Sequence, residues 1–185
     1  MRLASLALVL LALVSPALLP ACGGQADAPG APTAEGWHEF EGSWSAAGRR
    51  KELHLGADRM VAVLQVTGTL LLSGPSRPSV GFRGEAVTLA DEQTGLVGRA
   101  VWTDEHGDQV FSELSAEVVQ PGTRITGTFV GGTGRFAGAT GGYEFQWQYL
   151  IESDDGVVQG RALGLRGRVR VDAEPAAGDG GGGPR

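Results

Sequence analysis

The sequence predicts an all-β protein folded as a single antiparallel barrel. Short runs rich in Val, Thr, Leu and aromatic residues recur between glycine-bearing turns, and residues 37–173 show no convincing apolar period of 3.6. Glycine makes up 31 of the 185 residues and often lies inside these runs, which is typical of the tight coiling of a small barrel. Roughly eight to ten strands joined by short hairpins favour a closed barrel over an open sheet, whose long edges invite aggregation. A β-sandwich is the alternative.

The predicted strands follow one another with turn sequences between them. Turns that contain Gly, Pro or Asp occupy residues 74–78, 104–108 and 120–122. The predicted strands are residues 37–46, 51–55, 60–73, 79–90, 95–103, 109–119, 124–130, 142–152 and 157–171.

The last two strands carry the clearest alternation of apolar and polar residues, the pattern of a strand with one buried face. The apolar face of the first is Tyr143, Phe145, Trp147, Tyr149 and Ile151. The apolar face of the second is Leu163, Leu165, Val169 and Val171. We expect an antiparallel hairpin whose register pairs Trp147 with Leu163 and Glu144 with Arg166.

Residues 1–21 have the features of an export signal, because Arg2 precedes an apolar run that ends in small residues. The run is shorter than the roughly 20 residues that span a membrane as a helix. The sequence Leu19-Pro20-Ala21-Cys22 resembles the lipobox of bacterial lipoproteins, which implies that Cys22 is acylated. Cys22 is the only cysteine and therefore has no partner for an internal disulfide. The alternative is an ordinary secretory signal followed by a chance cysteine.

Acylation of Cys22 with palmitate-like chains predicts an exported protein held on a membrane surface of the bacterial cell envelope, because each buried CH₂ contributes ~0.8 kcal/mol. Residues 22–36 and 174–185 are rich in Gly, Pro and Ala and nearly free of large apolar residues, which predicts a flexible tether and a disordered tail. The barrel domain is then residues 37–173. The net charge of −6 makes nucleic acid an unfavourable partner.

A glycine-rich segment between two predicted strands carries a family motif. Residues 131–141 read GGTGRFAGATG and follow Thr126-Gly127-Thr128-Phe129. The segment resembles the GGTG-(R/K)-(F/Y)-x-G-A-x-G motif of allene oxide cyclase barrel-like proteins, a superfamily that includes dirigent-type proteins. This resemblance implies an eight-stranded, calycin-like β-barrel. A phosphate-binding loop is not supported, because the glycine spacing is wrong and no helix follows.

The resemblance also implies an activity, since the plant cyclases of this superfamily close an unstable lipid epoxide by confinement in an apolar cavity with the help of a carboxylate. None of their active residues matches a position of this chain, so no catalytic residue is assigned. Glu85 and Glu113 are weak candidates, because each lies within an apolar strand where burial would raise its pKa. The alternation around Glu113 favours a position facing water.

Other chemistries have little support in the sequence. His38, His54 and His106 are scattered, and none stands at ligand spacing from a cysteine or a second histidine, so no metal and no cofactor is predicted. Asp104 and Asp108 belong to a hairpin turn, where aspartate is favoured for backbone geometry rather than for calcium binding. No Gly-x-Ser-x-Gly elbow indicates a hydrolase.

An eight-stranded barrel is either filled by side chains or holds one small ligand. The residues predicted to line such a cavity are Phe136, Tyr143, Phe145, Trp147 and Tyr149; plain core packing is the alternative. The favoured hypothesis is a lipid-anchored barrel that binds a small apolar ligand or a protein partner without catalysis. The alternatives are a cyclase or isomerase of the allene oxide cyclase or dirigent type, and a solid barrel with a purely structural role.

Overall fold

The computed structural model describes residues 36–118 and 123–171, which form one closed antiparallel barrel. Eight strands pair in chain order, and the sheet closes because β1 pairs with both β2 and β8. The strands are β1 Trp37–His54, β2 Met60–Ser73, β3 Gly81–Asp91, β4 Gly95–Thr103, β5 Gln109–Val118, β6 Thr123–Gly132, β7 Thr140–Glu152 and β8 Val157–Arg170. The predicted all-β, eight-stranded antiparallel barrel is confirmed, and closure excludes the sandwich.

The two strands predicted at residues 37–46 and 51–55 are one strand, β1. It pairs with β2 without interruption from Glu41 to His54, and with β8 through a register shift between Gly42 and Ser45. Both rows of backbone groups along its central part are therefore hydrogen-bonded. The intervening residues 47–50 lack apolar alternation, which is why the sequence pattern alone divides the strand.

The hairpin of β7 and β8 has the predicted register from Thr140 to Glu144 and again from Ile151 to Glu152, and a register shifted by one residue between them. Glu144 lies opposite Arg166 as predicted, but Trp147 pairs with Ala162 instead of Leu163. The cause is a bulge of β8, in which Gly164 adopts φ +63° and one extra residue is accommodated. Leu163 is turned to the outer face and is 38% exposed, so its predicted burial is wrong.

The barrel has two distinct ends. At the first, which we call the plugged end, β1 begins, β8 ends, and the glycine-rich segment folds inward through a short 3₁₀ turn, Gly134–Phe136. Phe136 is buried there with its ring 5.7 Å from Phe82. At the opposite end, which we call the cavity end, lie the turns that join β1 to β2, β3 to β4 and β7 to β8. Residues 119–122, between β5 and β6, are outside the described part of the chain.

Aromatic rings fill the half of the interior near the plugged end. Trp102 lies 4.4 Å from Tyr143 and 5.4 Å from Phe129, and Phe40 packs edge-on against Trp102. The Tyr143 hydroxyl and Ser112 Oγ form a buried hydrogen bond of 2.8 Å. Burial raises the pKa of Tyr143 well above its ordinary value, so the phenol stays neutral.

Several glycines inside the strands lie beneath these rings. A Cβ added at Gly127 would be 2.2 Å from the ring of Tyr143, its cross-strand partner. A Cβ at Gly160 would be 2.4 Å from the ring of Trp147. Glycine at these two positions thus leaves room for a neighbouring aromatic ring close to the barrel wall.

Arg135 links the short 3₁₀ turn Gly134–Phe136, which we call the plug, to the β4–β5 turn. Its Nε and Nη2 both donate to Oδ2 of Asp104, at 2.8 and 2.5 Å. Oδ1 of Asp104 accepts from the backbone N–H groups of His106 and Asp108. Burial by itself raises the pKa of Asp104, but the hydrogen bonds from Arg135 and from the two backbone groups outweigh it and hold the pKa below its usual value. Asp104 therefore shapes the turn, as predicted.

Candidate functional site

The half of the interior near the cavity end encloses a cavity of about 320 Å³. Inward residues of β1 to β7 supply its wall, because alternate side chains of a strand face the barrel interior. The lining residues are Trp44, Leu64, Val66, Ala86, Thr88, Leu96, Leu114, Thr123, Ile125, Phe145, Trp147 and Tyr149. The volume falls in the lower part of the range of ligand pockets, roughly 300–1,000 Å³.

Four aromatic rings form a ladder from the floor of the cavity to its rim. Phe145 is 6.0 Å from Trp44, Trp44 is 5.4 Å from Trp147, and Trp147 is 6.1 Å from Tyr149. Phe145 and Trp44 are buried, whereas Tyr149 is exposed, so the ladder leads from the core to the surface. A ligand in the cavity would lie against a continuous aromatic wall, which suits an apolar or planar molecule.

The polar groups of the lining are few. They are the hydroxyls of Thr88, Thr123 and Tyr149 and the two indole N–H groups, and the described lining includes no carboxylate. Burial raises the pKa of the Tyr149 hydroxyl; nearby Arg50 lowers it and Glu152 raises it. At neutral pH this hydroxyl is a neutral hydrogen-bonding group at the rim.

The cavity contains three of the five residues predicted to line it. Phe145, Trp147 and Tyr149 line it, whereas Tyr143 and Phe136 belong to the filled half. Tyr143 does not line the cavity because β7 crosses both halves of the barrel, and Phe136 does not because it lies in the 3₁₀ turn at the plugged end. Trp44 was missed, although it shares the inward parity of Phe40 within the predicted strand 37–46.

The two candidate carboxylates lie on the outer face of the barrel. Glu85 is 47% exposed in its side chain and pairs with Arg83 at 2.7 Å. Glu113 is 54% exposed in its side chain and pairs with Arg99, its cross-strand partner, at 2.9 Å. Neither reaches the cavity, so neither serves as the confined carboxylate that the cyclase alternative requires.

A cluster at the plugged end resembles a metal site in composition only. Asp104, Glu105 and His106 place one potential ligand atom each within 4.8 Å of one another. The carboxylate of Asp104 already forms an ion pair with Arg135, and the side chains of Glu105 and His106 are exposed. The guanidinium neutralises the buried carboxylate, which makes a cation there unfavourable.

The outer wall has two further features. A depression of about 820 Å³ lies across β1, β6, β7 and β8 with Gly142 in its floor, bordered by acidic and basic side chains such as Glu144 and Arg166. These two side chains bond to each other, Arg166 Nε donating to Glu144 Oε1 at 2.8 Å. On β2 to β4, Val63, Leu89 and Val97 pair across the strands and form an exposed apolar row.

Comparison with known proteins gives a likeness to a solved structure and no match to a family. No protein-family model matches the chain, and no curated protein matches it. A solved structure of the pterocarpan synthase dirigent protein GePTS1 aligns with a TM-score of 0.46 and 12% identity, covering 74% of this chain and 91% of that chain. A likeness at this level carries no conclusion about the activity of this chain.

The predicted lipidation site, Cys22, and the tether lie outside the described residues, as does the C-terminal tail. Within residues 36–118 and 123–171, no helix has the length and apolarity needed to cross a membrane.

Proposed function

We propose that this chain is a lipid-anchored binding protein of the bacterial cell envelope, whose barrel holds one small apolar ligand without catalysis. The observation that carries the proposal is the cavity of about 320 Å³ with its aromatic ladder. An apolar ligand that leaves water for this cavity gains roughly 25 cal/mol per Å² of buried apolar surface. The outward positions of Glu85 and Glu113 favour binding over the cyclase alternative.

The first strand of the barrel begins at the end opposite the cavity. β1 begins at the plugged end, where the ring of Trp37 packs beneath Arg168 at 4.6 Å. A tether from Cys22 would therefore join the plugged end, and the rim with Tyr149 would be remote from the junction. Labelled palmitate should enter the wild-type chain in a bacterial host and should not enter Cys22→Ser; equal labelling would remove the anchor from the proposal.

Ligand binding is tested with an apolar fluorescent probe, N-phenyl-1-naphthylamine, and a chain of residues 23–185. This chain retains the whole barrel, because all eight strands lie within residues 37–170. Ala86→Phe fills the cavity, whereas Val87→Phe adds the same ring on the outer face. Leu96→Phe and Val97→Phe form a second matched pair in β4.

We expect saturable probe binding to the wild type and to both outer-face variants, and at least tenfold weaker binding to both cavity variants, because the added ring occupies the ligand space. Thermal unfolding of each variant identifies any that fails to fold. Binding that is unchanged in the folded cavity variants, or absent from the wild type, would overturn the proposal.

A further inference from the structure

Two tryptophans of the cavity lining have buried indole nitrogens that lack a hydrogen-bond partner among the described residues. They are Nε1 of Trp44 and Nε1 of Trp147. An indole N–H can only donate, and in a buried tryptophan it usually finds an acceptor. A buried donor without an acceptor is unfavourable, and in a native structure it requires an explanation.

The location of these donors distinguishes them from the rest of the core. The two rings are neighbours, with centroids 5.4 Å apart, and both line the same cavity. In the filled half of the barrel, by contrast, the buried hydroxyls of Ser112 and Tyr143 satisfy each other at 2.8 Å. Among the described side chains that face the barrel interior, the donors without a partner thus lie beside the cavity.

Glycines lie beneath both indoles. The position of a Cβ at Gly84 is 2.9 Å from Nε1 of Trp44, and a Cβ at Gly160 would be 2.4 Å from the ring of Trp147. The wall therefore offers no side-chain acceptor at either position.

We propose that the cavity selects apolar ligands that carry a carbonyl oxygen, which accepts a hydrogen bond from the indole of Trp44 or Trp147. This inference rests on the proposed function, since it uses the same cavity. Both nitrogens are shielded in the empty barrel, so ligand binding includes a rotation of the donating indole. Apart from the hydroxyls of Thr88, Thr123 and Tyr149, the remaining lining is apolar and would contact the hydrocarbon part of the ligand.

The test compares two probes of nearly the same shape, indane and 1-indanone, which differ by one carbonyl group. Their dissociation constants are measured by calorimetry for the wild type, Trp44→Phe and Trp147→Phe, each in the 23–185 chain. Phenylalanine retains an aromatic ring and removes the N–H. Trp102→Phe is the matched control, because Trp102 lies in the filled half and does not line the cavity.

The quantity compared is the dissociation constant of indane divided by that of 1-indanone. In this ratio, the effect of replacing an indole by the smaller phenyl ring cancels, because it acts on both probes. We expect the ratio to fall about threefold to tenfold in at least one cavity variant and to stay unchanged in Trp102→Phe, in line with the loss of one hydrogen bond. Binding of both probes with a ratio unchanged in both cavity variants would overturn this inference alone. Failure of both probes to bind the wild type would overturn it together with the proposed function.

Discussion

The guanidinium of Arg135 donates two hydrogen bonds to Asp104, whose side chain is 0% exposed, and this pair holds the plug of the barrel in place. Arg135 belongs to the glycine-rich segment and Asp104 to the β4–β5 turn, so the contact joins two distant parts of the chain. The guanidinium also lies 5.1 Å from the centre of the Phe136 ring, which in turn packs against Phe82 in the filled half.

Replacement of Arg135 by Met should lower the free energy of unfolding by about 2–3 kcal/mol, because it leaves the Asp104 carboxylate buried without its counter-charge. Urea denaturation measures the change. Arg166→Met is the control, since Arg166 pairs with Glu144 at the surface and should contribute at most about 1 kcal/mol. Equal effects of the two substitutions would contradict a stabilising role of the plug contact.

The same contact predicts a dependence on pH. The pKa of Asp104 is lower in the folded state than its ordinary value of 3.8, so its contribution is complete above that value and is lost as pH falls through the folded pKa. The stability difference between the wild type and Asp104→Asn should therefore be largest at neutral pH and should shrink progressively below about pH 4. A difference that is constant from pH 7 to pH 2 would show that the ionised form is not stabilised by folding.

Gly127→Ala should destabilise the barrel by about 1–3 kcal/mol, because its Cβ would overlap the ring of Tyr143. Gly81→Ala is the matched control within a strand, since its Cβ would lie 3.6 Å from a methyl of Leu71 and 3.8 Å from the carbonyl oxygen of Leu70, both ordinary contacts. Denaturant midpoints of the two variants provide the comparison. If Gly127→Ala and Gly81→Ala had the same denaturant midpoint, the close packing of Tyr143 on Gly127 would be incorrect.

Gly164→Ala tests the bulge of β8 separately from packing. No atom lies within 4 Å of the added Cβ, so the cost of about 1 kcal/mol should come from the backbone alone, at φ +63°. Gly164→Asn should recover part of the loss, because asparagine tolerates this conformation better than alanine does. If Gly164→Ala were as stable as the wild type, residue 164 would not have the left-handed backbone conformation.

The sequence predicted the barrel and most of its strands because alternation along a strand depends only on which face is buried. It did not predict the register in the middle of the β7–β8 hairpin, since the bulge at Gly164 shifts the pairs from Gln146 to Tyr149 by one residue before a second irregularity restores the register at Ile151. Alternation also gives the face of a residue and not its height in the barrel, which is why Tyr143 and Trp147 share a pattern but lie in different halves.

The position of Glu85 could not be inferred for a different reason. Both faces of β3 carry apolar residues, Phe82 and Ala86 inside and Val87 and Leu89 outside, so apolar neighbours do not distinguish a buried carboxylate from an exposed one. The cavity itself arises from the sizes of side chains contributed by seven strands, and no local pattern records how well they fill the interior.

The most direct test of the proposed binding function is a crystal structure of the 23–185 chain with N-phenyl-1-naphthylamine. We expect electron density for the probe inside the barrel, in contact with the ring of Trp147 and with Leu114, while the half around Trp102 and Tyr143 stays filled by side chains. Density on the outer wall alone, or an interior closed by the lining residues, would contradict the proposed binding function.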